Sequence, residues 1–271
     1  MASVLSASER QRFERDGWLG PFPLLSLSEA RSLAPALQRA FDQTRGYHYP
    51  DRDELARFYA AGGSYYEETP WFQSLHALSP RLREVGRDPR IVERVAALIG
   101  EDVMHWATIC FFQHPGERLH WHSDNEFHHV RGVSVWLGAA NTTPQNALKI
   151  LPGSHRFPKR PEDYLSAGAE TMRSLEGDER ALAIARQWKP DAEFVRPAVS
   201  DGKFILFNGN LWHASDNPGK ELRYAMGLRY SPPDQKVRIP MTAWEPTVWD
   251  PAQPPTVMVR GEDHFGLNRR I

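Results

Sequence analysis

The spacing of apolar residues in this 271-residue chain changes near Val103, and that change restricts the fold more than any other feature. Upstream, apolar side chains recur at helical spacing. Ser6 precedes Glu9, and Ser26 precedes Glu29, at the interval of a capping box, which predicts two helix starts. After Ser26, the residues Leu33, Ala36, Leu37, Ala40 and Phe41 mark one packing face. A further helix is bounded by Asp88, Pro89 and Gly100, with Ile91, Val92, Val95, Leu98 and Ile99 on its apolar side. Downstream, the pattern reads as short strands: Trp106 to Gln113, Gly132 to Ala140, Ala147 to Leu151, Phe194 to Val199, Lys203 to Asn208 and Arg223 to Tyr230. Turns at His114-Pro115-Gly116, Pro152-Gly153 and Asp201-Gly202 separate them, and one helical insertion is predicted at Asp178 to Trp188. A helical front followed by many short strands predicts a mainly β fold with flanking helices. An antiparallel sandwich or jelly roll fits this order better than a doubly wound parallel sheet.

Charge and composition narrow the partners. The formal net charge is −1, with 41% hydrophobic and 25% charged residues, so no field is available to attract nucleic acid or an anionic membrane. A small-molecule partner is expected. Cys110 is the only cysteine, which excludes a disulfide within the chain; its apolar run Ile109-Cys110-Phe111-Phe112 predicts burial, and a reducing cytoplasm is expected. No signal-peptide core precedes Arg15, and no stretch reaches the roughly 18 apolar residues of a membrane span. With no linker or internal repeat, residues 1–271 are expected to form a single domain. Its parts are a helical buttress at about 1–100, a jelly-roll core at about 101–240 and a C-terminal extension at about 241–271. Neither a phosphate-cradling glycine loop nor a nucleophile elbow is present.

The chemistry concentrates in Leu119-His120-Trp121-His122-Ser123-Asp124 and, far downstream, Leu211-Trp212-His213-Ala214-Ser215. In an extended strand, residues i and i+2 share a face, so His122 and Asp124 can hold one metal while His213 closes the set. Two imidazoles and a carboxylate leave coordination positions open, which suits non-haem Fe(II); structural zinc would want a fourth ligand, usually thiolate. His120 shares a face with His122 and is an alternative ligand, although that pairing brings no carboxylate. His155 is a further candidate, but its place in Leu151-Pro152-Gly153-Ser154-His155 fits a turn better.

Alternation in Arg223-Tyr224-Ala225-Met226-Gly227-Leu228-Arg229-Tyr230 puts Arg223 and Arg229 on one face, separated by Ala225 and Gly227. Two cations flanking the smallest side chains leave space for an anion, and a guanidinium fork matches a carboxylate; a solvated surface strand is the plain alternative. In Val133-Ser134-Val135-Trp136-Leu137, the hydroxyl of Ser134 and the indole of Trp136 share a face and can orient a carboxylate, although a tryptophan there also fits a core.

The segments Phe13-Glu14-Arg15-Asp16-Gly17, His122-Ser123-Asp124, Leu151-Pro152-Gly153-Ser154-His155 and His213-Ala214-Ser215, followed by Arg223, occur in an order that resembles the phytanoyl-CoA dioxygenase family over most of the chain. The resemblance implies a double-stranded β-helix (a cupin-like jelly roll) that uses Fe(II), 2-oxoglutarate and dioxygen. It implies His122, Asp124 and His213 as ligands and Arg223 as the partner of the distal carboxylate of 2-oxoglutarate, with Arg229 able to share or take that role. Trp212 to Pro232 also resembles the aliphatic halogenase branch, where a tryptophan at the place of Trp136 assists the co-substrate and a small residue replaces the iron-binding carboxylate. Asp124 retains that carboxylate, so the implied reaction is hydroxylation of an unactivated C–H in a small metabolite of specialised biosynthesis, releasing succinate and CO2. Desaturation, cyclisation, epoxidation and halogenation are other outcomes of the same oxidant, and a non-catalytic metal-binding jelly roll is the alternative class. A substrate carried on CoA or on a carrier protein stays open.

Aromatic residues at Tyr47, His48, Tyr49, Tyr65, Tyr66, Trp71 and Phe72 are the expected substrate surface, with helix packing as the alternative. His128, His129 and Arg131 follow the metal carboxylate closely enough to meet a polar or anionic substrate group.

Overall fold

The computed structural model describes residues 4–44, 73–125, 131–161, 177–237 and 254–271, together with the backbone of two strands, Pro240–Thr242 and Glu245–Trp249. Helix α1 (Ala7–Asp16) and helix α2 (Leu27–Asp42) both start at the capping boxes read from sequence. The Ser6 hydroxyl accepts from the Glu9 N–H at 3.2 Å, and the Ser26 hydroxyl from that of Glu29 at 3.3 Å. Two short helices not predicted from sequence, α3 (Leu75–Leu78) and α4 (Pro80–Gly86), precede α5 (Pro89–Ile99), which the Asp88 carboxylate caps.

These helices cover one face of the main sheet. Its strands are β1 (Trp18–Pro23), β2 (Val103–Gln113), β4 (Val133–Ala140), β6 (Lys203–Asn208), β8 (Arg223–Ser231) and β11 (Val257–Arg260), in the order β1-β6-β4-β8-β2-β11. All of its pairings are antiparallel. A second antiparallel sheet, β3-β7-β5, is made of β3 (Arg118–His122), β7 (His213–Asp216) and β5 (Lys149–Ile150). Two antiparallel sheets with helices on one outer face are the mainly β jelly roll expected from sequence.

Alternation sorts the side chains into separate cores. Val133, Val135, Leu137, Met226, Leu228 and Tyr230 pack outward against the helices, whereas Trp136, Ala225, Ile205 and Phe207 pack between the sheets. Cys110 is buried in the helix-facing core. The site therefore lies on the inner face of β4 and β8.

Some strand boundaries differ from expectation. Phe194 to Val199 is not a strand; only Val195 bridges to Ile150, because Pro197 interrupts donation along that run. The extended segment expected around His122 is β3, which stops at His122, whereas β7 is short and polar and is defined by cross-strand pairing. The division at 1–100, 101–240 and 241–271 does not follow the main sheet, which takes β1 from the first part and β11 from the last. Among the described residues, no helix is long and apolar enough to cross a membrane.

A buried ring cluster joins this C-terminal segment to the sheet. The His76 and His105 rings lie 4.5 Å apart and those of His105 and Tyr230 5.1 Å, while His76 Nε2 donates to the Pro255 carbonyl at 2.8 Å. Burial lowers the His76 pKa from 6.5 to about 4 and pushes His105 well below its ordinary value. Below pH 6.5 the unfolded chain takes up protons that these buried rings resist. The stability held above pH 6.5 is therefore lost as pH falls toward 4, by about 3 kcal/mol for His76 alone. Thermal melts of metal-free protein between pH 7.5 and 5 are expected to show this decline, with a shallower slope in His76→Gln.

Candidate metal centre

Pairing register creates the centre. His122 and His213 are directly opposite each other in the β3–β7 ladder, so their side chains leave the same face and their ring centroids lie 4.2 Å apart. Each ring is oriented locally: His122 Nδ1 donates to the His120 carbonyl at 2.9 Å, and His213 Nδ1 to that of Leu211 at 2.8 Å. Both Nε2 atoms are left as free lone pairs. Asp124 completes the group, with Oδ1 3.6 Å from His213 Nε2, and the three ligand atoms lie within 4.8 Å of one another. Strand alternation is not what delivers Asp124. Strand β3 ends at His122, and Asp124 sits in the following turn.

That turn is fastened to the other ligand segment. Asn125 N–H donates to the Gly209 carbonyl at 3.0 Å and Asn125 Nδ2 to Asn210 Oδ1 at 3.0 Å, just ahead of His213. The Leu151-to-His155 motif braces the same segment from behind. Leu151 N–H donates to the Trp212 carbonyl at 3.0 Å, and Trp212 N–H donates to Ser154 Oγ at 2.9 Å. Gly153 N–H reaches back to the Asp16 carbonyl at 2.9 Å, and His155 Nε2 donates to the Glu14 carbonyl at 3.1 Å. His155 is thus a turn residue outside the ligand set, and the exposed His120 also lies outside it.

Gly17 fits between these parts with φ +82°, and a Cβ there would come within 2.5 Å of the His155 ring and 2.7 Å of Leu211. Gly17→Ala is expected to cost about 1–3 kcal/mol through overpacking and left-handed strain. Chemical denaturation checks it.

Electrostatics suits a divalent cation. Burial, then the neighbouring His213, lowers the His122 pKa to about 3, and burial also lowers that of His213, so both imidazoles stay neutral. Burial alone would raise the Asp124 pKa. Arg229 and the Ser134 hydroxyl outweigh it and hold the carboxyl well below its usual range. Neutral imidazoles with free Nε2 atoms beside an ionised carboxylate fit iron: the donor set is mixed nitrogen and oxygen, with no thiolate and no fourth side chain among the described residues.

A narrow cavity runs from this cluster between the sheets, lined among others by Trp136, Phe111, Gly227 and Ser215. Arg223, only 1% exposed, lies beyond Trp136, its guanidinium 5.3 Å from the indole centroid. Burial lowers its pKa to about 10, so it remains a cation at neutral pH. Nη1 donates to the Asn146 carbonyl at 2.5 Å, while Nε has no partner among the described residues. A solvated surface strand is thereby excluded. Ser215 was missed from sequence, although period-two spacing from His213 in β7 would have placed it on the ligand face.

The remaining expected residues are placed differently. The Ser134 hydroxyl bonds Asp124, and Arg229 Nη2 donates to Asp124 Oδ1 at 2.7 Å, so both serve the carboxylate end. Arg131 is exposed, pairs with Asp234 at 2.7 Å and does not line the cavity. Tyr47, His48, Tyr49, Tyr65, Tyr66, Trp71, Phe72, His128 and His129 lie outside the described residues.

Comparison with known proteins agrees with this geometry. The family profile for phytanoyl-CoA dioxygenase (PhyH) matches residues 13–219, which span both ligand segments. The chain belongs to that family. A curated ectoine dioxygenase of Bordetella bronchiseptica is 30% identical over 235 residues, covering 80% of this chain and 71% of the relative. Among solved structures, CytC3 with Fe(II) and alpha-ketoglutarate superimposes with TM-score 0.64 at 22% identity, covering 99% of this chain and 93% of that one. EctD from S. alaskensis with 2-oxoglutarate and 5-hydroxyectoine gives TM-score 0.64 at 20% identity, covering 100% and 89%. This phytanoyl-CoA dioxygenase family member is an Fe(II)- and 2-oxoglutarate-dependent dioxygenase.

Proposed function

We propose that this dioxygenase hydroxylates an unactivated C–H of a small metabolite, placing one atom of O2 in the alcohol and the other in succinate, with loss of CO2 from 2-oxoglutarate. The chemistry that iron supplies when bound is the coupling of that decarboxylation to reduction of dioxygen. The chain's own residues ligate, orient and keep water out. His122, Asp124 and His213 offer one face of donors, leaving the opposite positions to co-substrate and oxygen. Arg223, buried beyond Trp136 and still charged, offers its guanidinium to the far carboxylate of the co-substrate, and Ser215 adds a hydroxyl to the cavity wall. Apolar walls at Phe111, Phe207 and Leu148 limit solvent around the reacting atoms.

The observation that carries this reading is the buried cluster of two neutral imidazoles and one ionised carboxylate opening onto a cavity with an arginine behind its wall. Asp124 favours hydroxylation over halogenation, since its carboxylate fills the position that a halide would need. The relatives named for ectoine support a small polar substrate and, through it, a role in specialised biosynthesis. A metabolite panel incubated with iron, 2-oxoglutarate and O2 tests the proposal. The expected result is succinate release stoichiometric with a product 16 mass units heavier, as insertion of one oxygen atom requires. Succinate release with only desaturated or halogenated products would overturn the hydroxylase assignment.

A further inference from the structure

We infer that Arg229 is the positioning residue of the metal-binding carboxylate, a fixed cation that aims Asp124 at the centre before iron arrives. The inference rests on the ligand reading above and adds a role for an arginine whose sequence position pairs it equally well with the co-substrate.

Strand β8 separates the two arginines by function. Arg223 and Arg229 share a face, roughly 20 Å apart at about 3.3 Å per residue, so one marks the far end of the cavity and the other the metal end. Arg229 Nη2 donates to Asp124 Oδ1 at 2.7 Å, and Nη1 donates to Gln73 Oε1 at 3.0 Å. The guanidinium carbon lies 5.5 Å from the Trp106 ring centroid, so the cation is held by an aromatic face as well as by two acceptors. It is spent on a protein carboxylate. Both arginines keep an Nε without a partner among the described residues, so what separates them is the carboxylate bond: Arg229 makes one to Asp124, whereas among the described residues Arg223 hydrogen-bonds only the Asn146 carbonyl.

The three ligands also differ in how they are aimed. Each histidine is oriented by a bond to a carbonyl two residues back on its own segment. Asp124 lies past the end of β3, and side chains from β8 and β4, Arg229 and Ser134, bond its carboxyl group. The carboxylate is buried, and an anion there without a cation beside it would turn toward solvent. Arg229 supplies the compensating charge within the protein, so the donor triad is preformed.

Anaerobic titration of metal-free protein with Co(II), followed by its ligand-field absorption, tests this apart from turnover. In Arg229→Gln the dissociation constant is expected to rise about 10- to 100-fold, with altered band intensities. Arg229→Lys is expected to recover part of the affinity, because it keeps the charge and loses the two-point fork. At saturating iron the KM for 2-oxoglutarate should rise less in Arg229→Gln than in Arg223→Ala. Wild-type Co(II) affinity in Arg229→Gln, or a raised 2-oxoglutarate KM without a change in metal binding, overturns the inference. Should Arg229→Gln fail to fold, Arg229→Lys and Gln73→Ala carry the test, and wild-type Co(II) binding in both overturns it. Failure of the wild-type protein itself to bind Co(II) would instead defeat the ligand reading.

Discussion

Replacing His213 by alanine is expected to bring succinate release to background while the chain stays folded. The ring stands opposite His122 in the β3–β7 ladder and offers its free Nε2 to the centre, so its loss leaves two donors where three are needed to fix the metal. Strand β7 keeps its backbone pairing with β3 and β5, and the bracing through Leu151, Ser154 and Trp212 does not involve the imidazole. Asp124→Ala should behave alike. Succinate production with added iron, beside circular dichroism of the same samples, measures both. His155→Ala is the control, because that ring bonds the Glu14 carbonyl and should retain iron binding. Full turnover by His213→Ala would remove this residue from the ligand set.

Arg223→Ala is expected to raise the KM for 2-oxoglutarate by about 10- to 150-fold. A charge-assisted contact is worth about 1.5–3 kcal/mol, and each 1.36 kcal/mol is tenfold. The value should sit toward the upper part of that range, because the guanidinium is almost completely buried and water cannot readily replace it. Steady-state kinetics at varied 2-oxoglutarate and saturating iron provides the measurement. An equal effect from Arg229→Gln, with Arg223→Ala silent, would exchange the two roles.

Local chemistry made much of the fold readable. Ser6 with Glu9 and Ser26 with Glu29 close capping boxes within a single turn of chain, so no distant residue is needed to form them. Alternation in Arg223 to Tyr230 was equally legible, since a strand buried on both faces still sorts bulky Tyr224, Met226, Leu228 and Tyr230 from small Ala225 and Gly227. The bounds of β3 and the existence of β7 were harder. Arg118–His122 and His213–Asp216 carry no sustained apolar period, and they are strands because each provides the other's hydrogen bonds. The same limit explains the C-terminal strand Val257–Arg260, whose pairing partner lies in β2, far back in the chain.

The sequence by itself determined the helical front, the strand-rich centre and the inward face of β8, because these follow from side-chain period, and ligand chemistry with the family resemblance brought His122, Asp124 and His213 forward from among the histidines and carboxylates. Only the tertiary structure separated the two arginines. Arg223 and Arg229 are indistinguishable by alternation, and their surroundings diverge when β3, β4 and β8 bring Asp124 within 2.7 Å of one guanidinium and leave the other behind Trp136. Coulomb attraction and hydrogen bonding act over a few ångströms, so the choice is made by distances that exist once the sheets have packed.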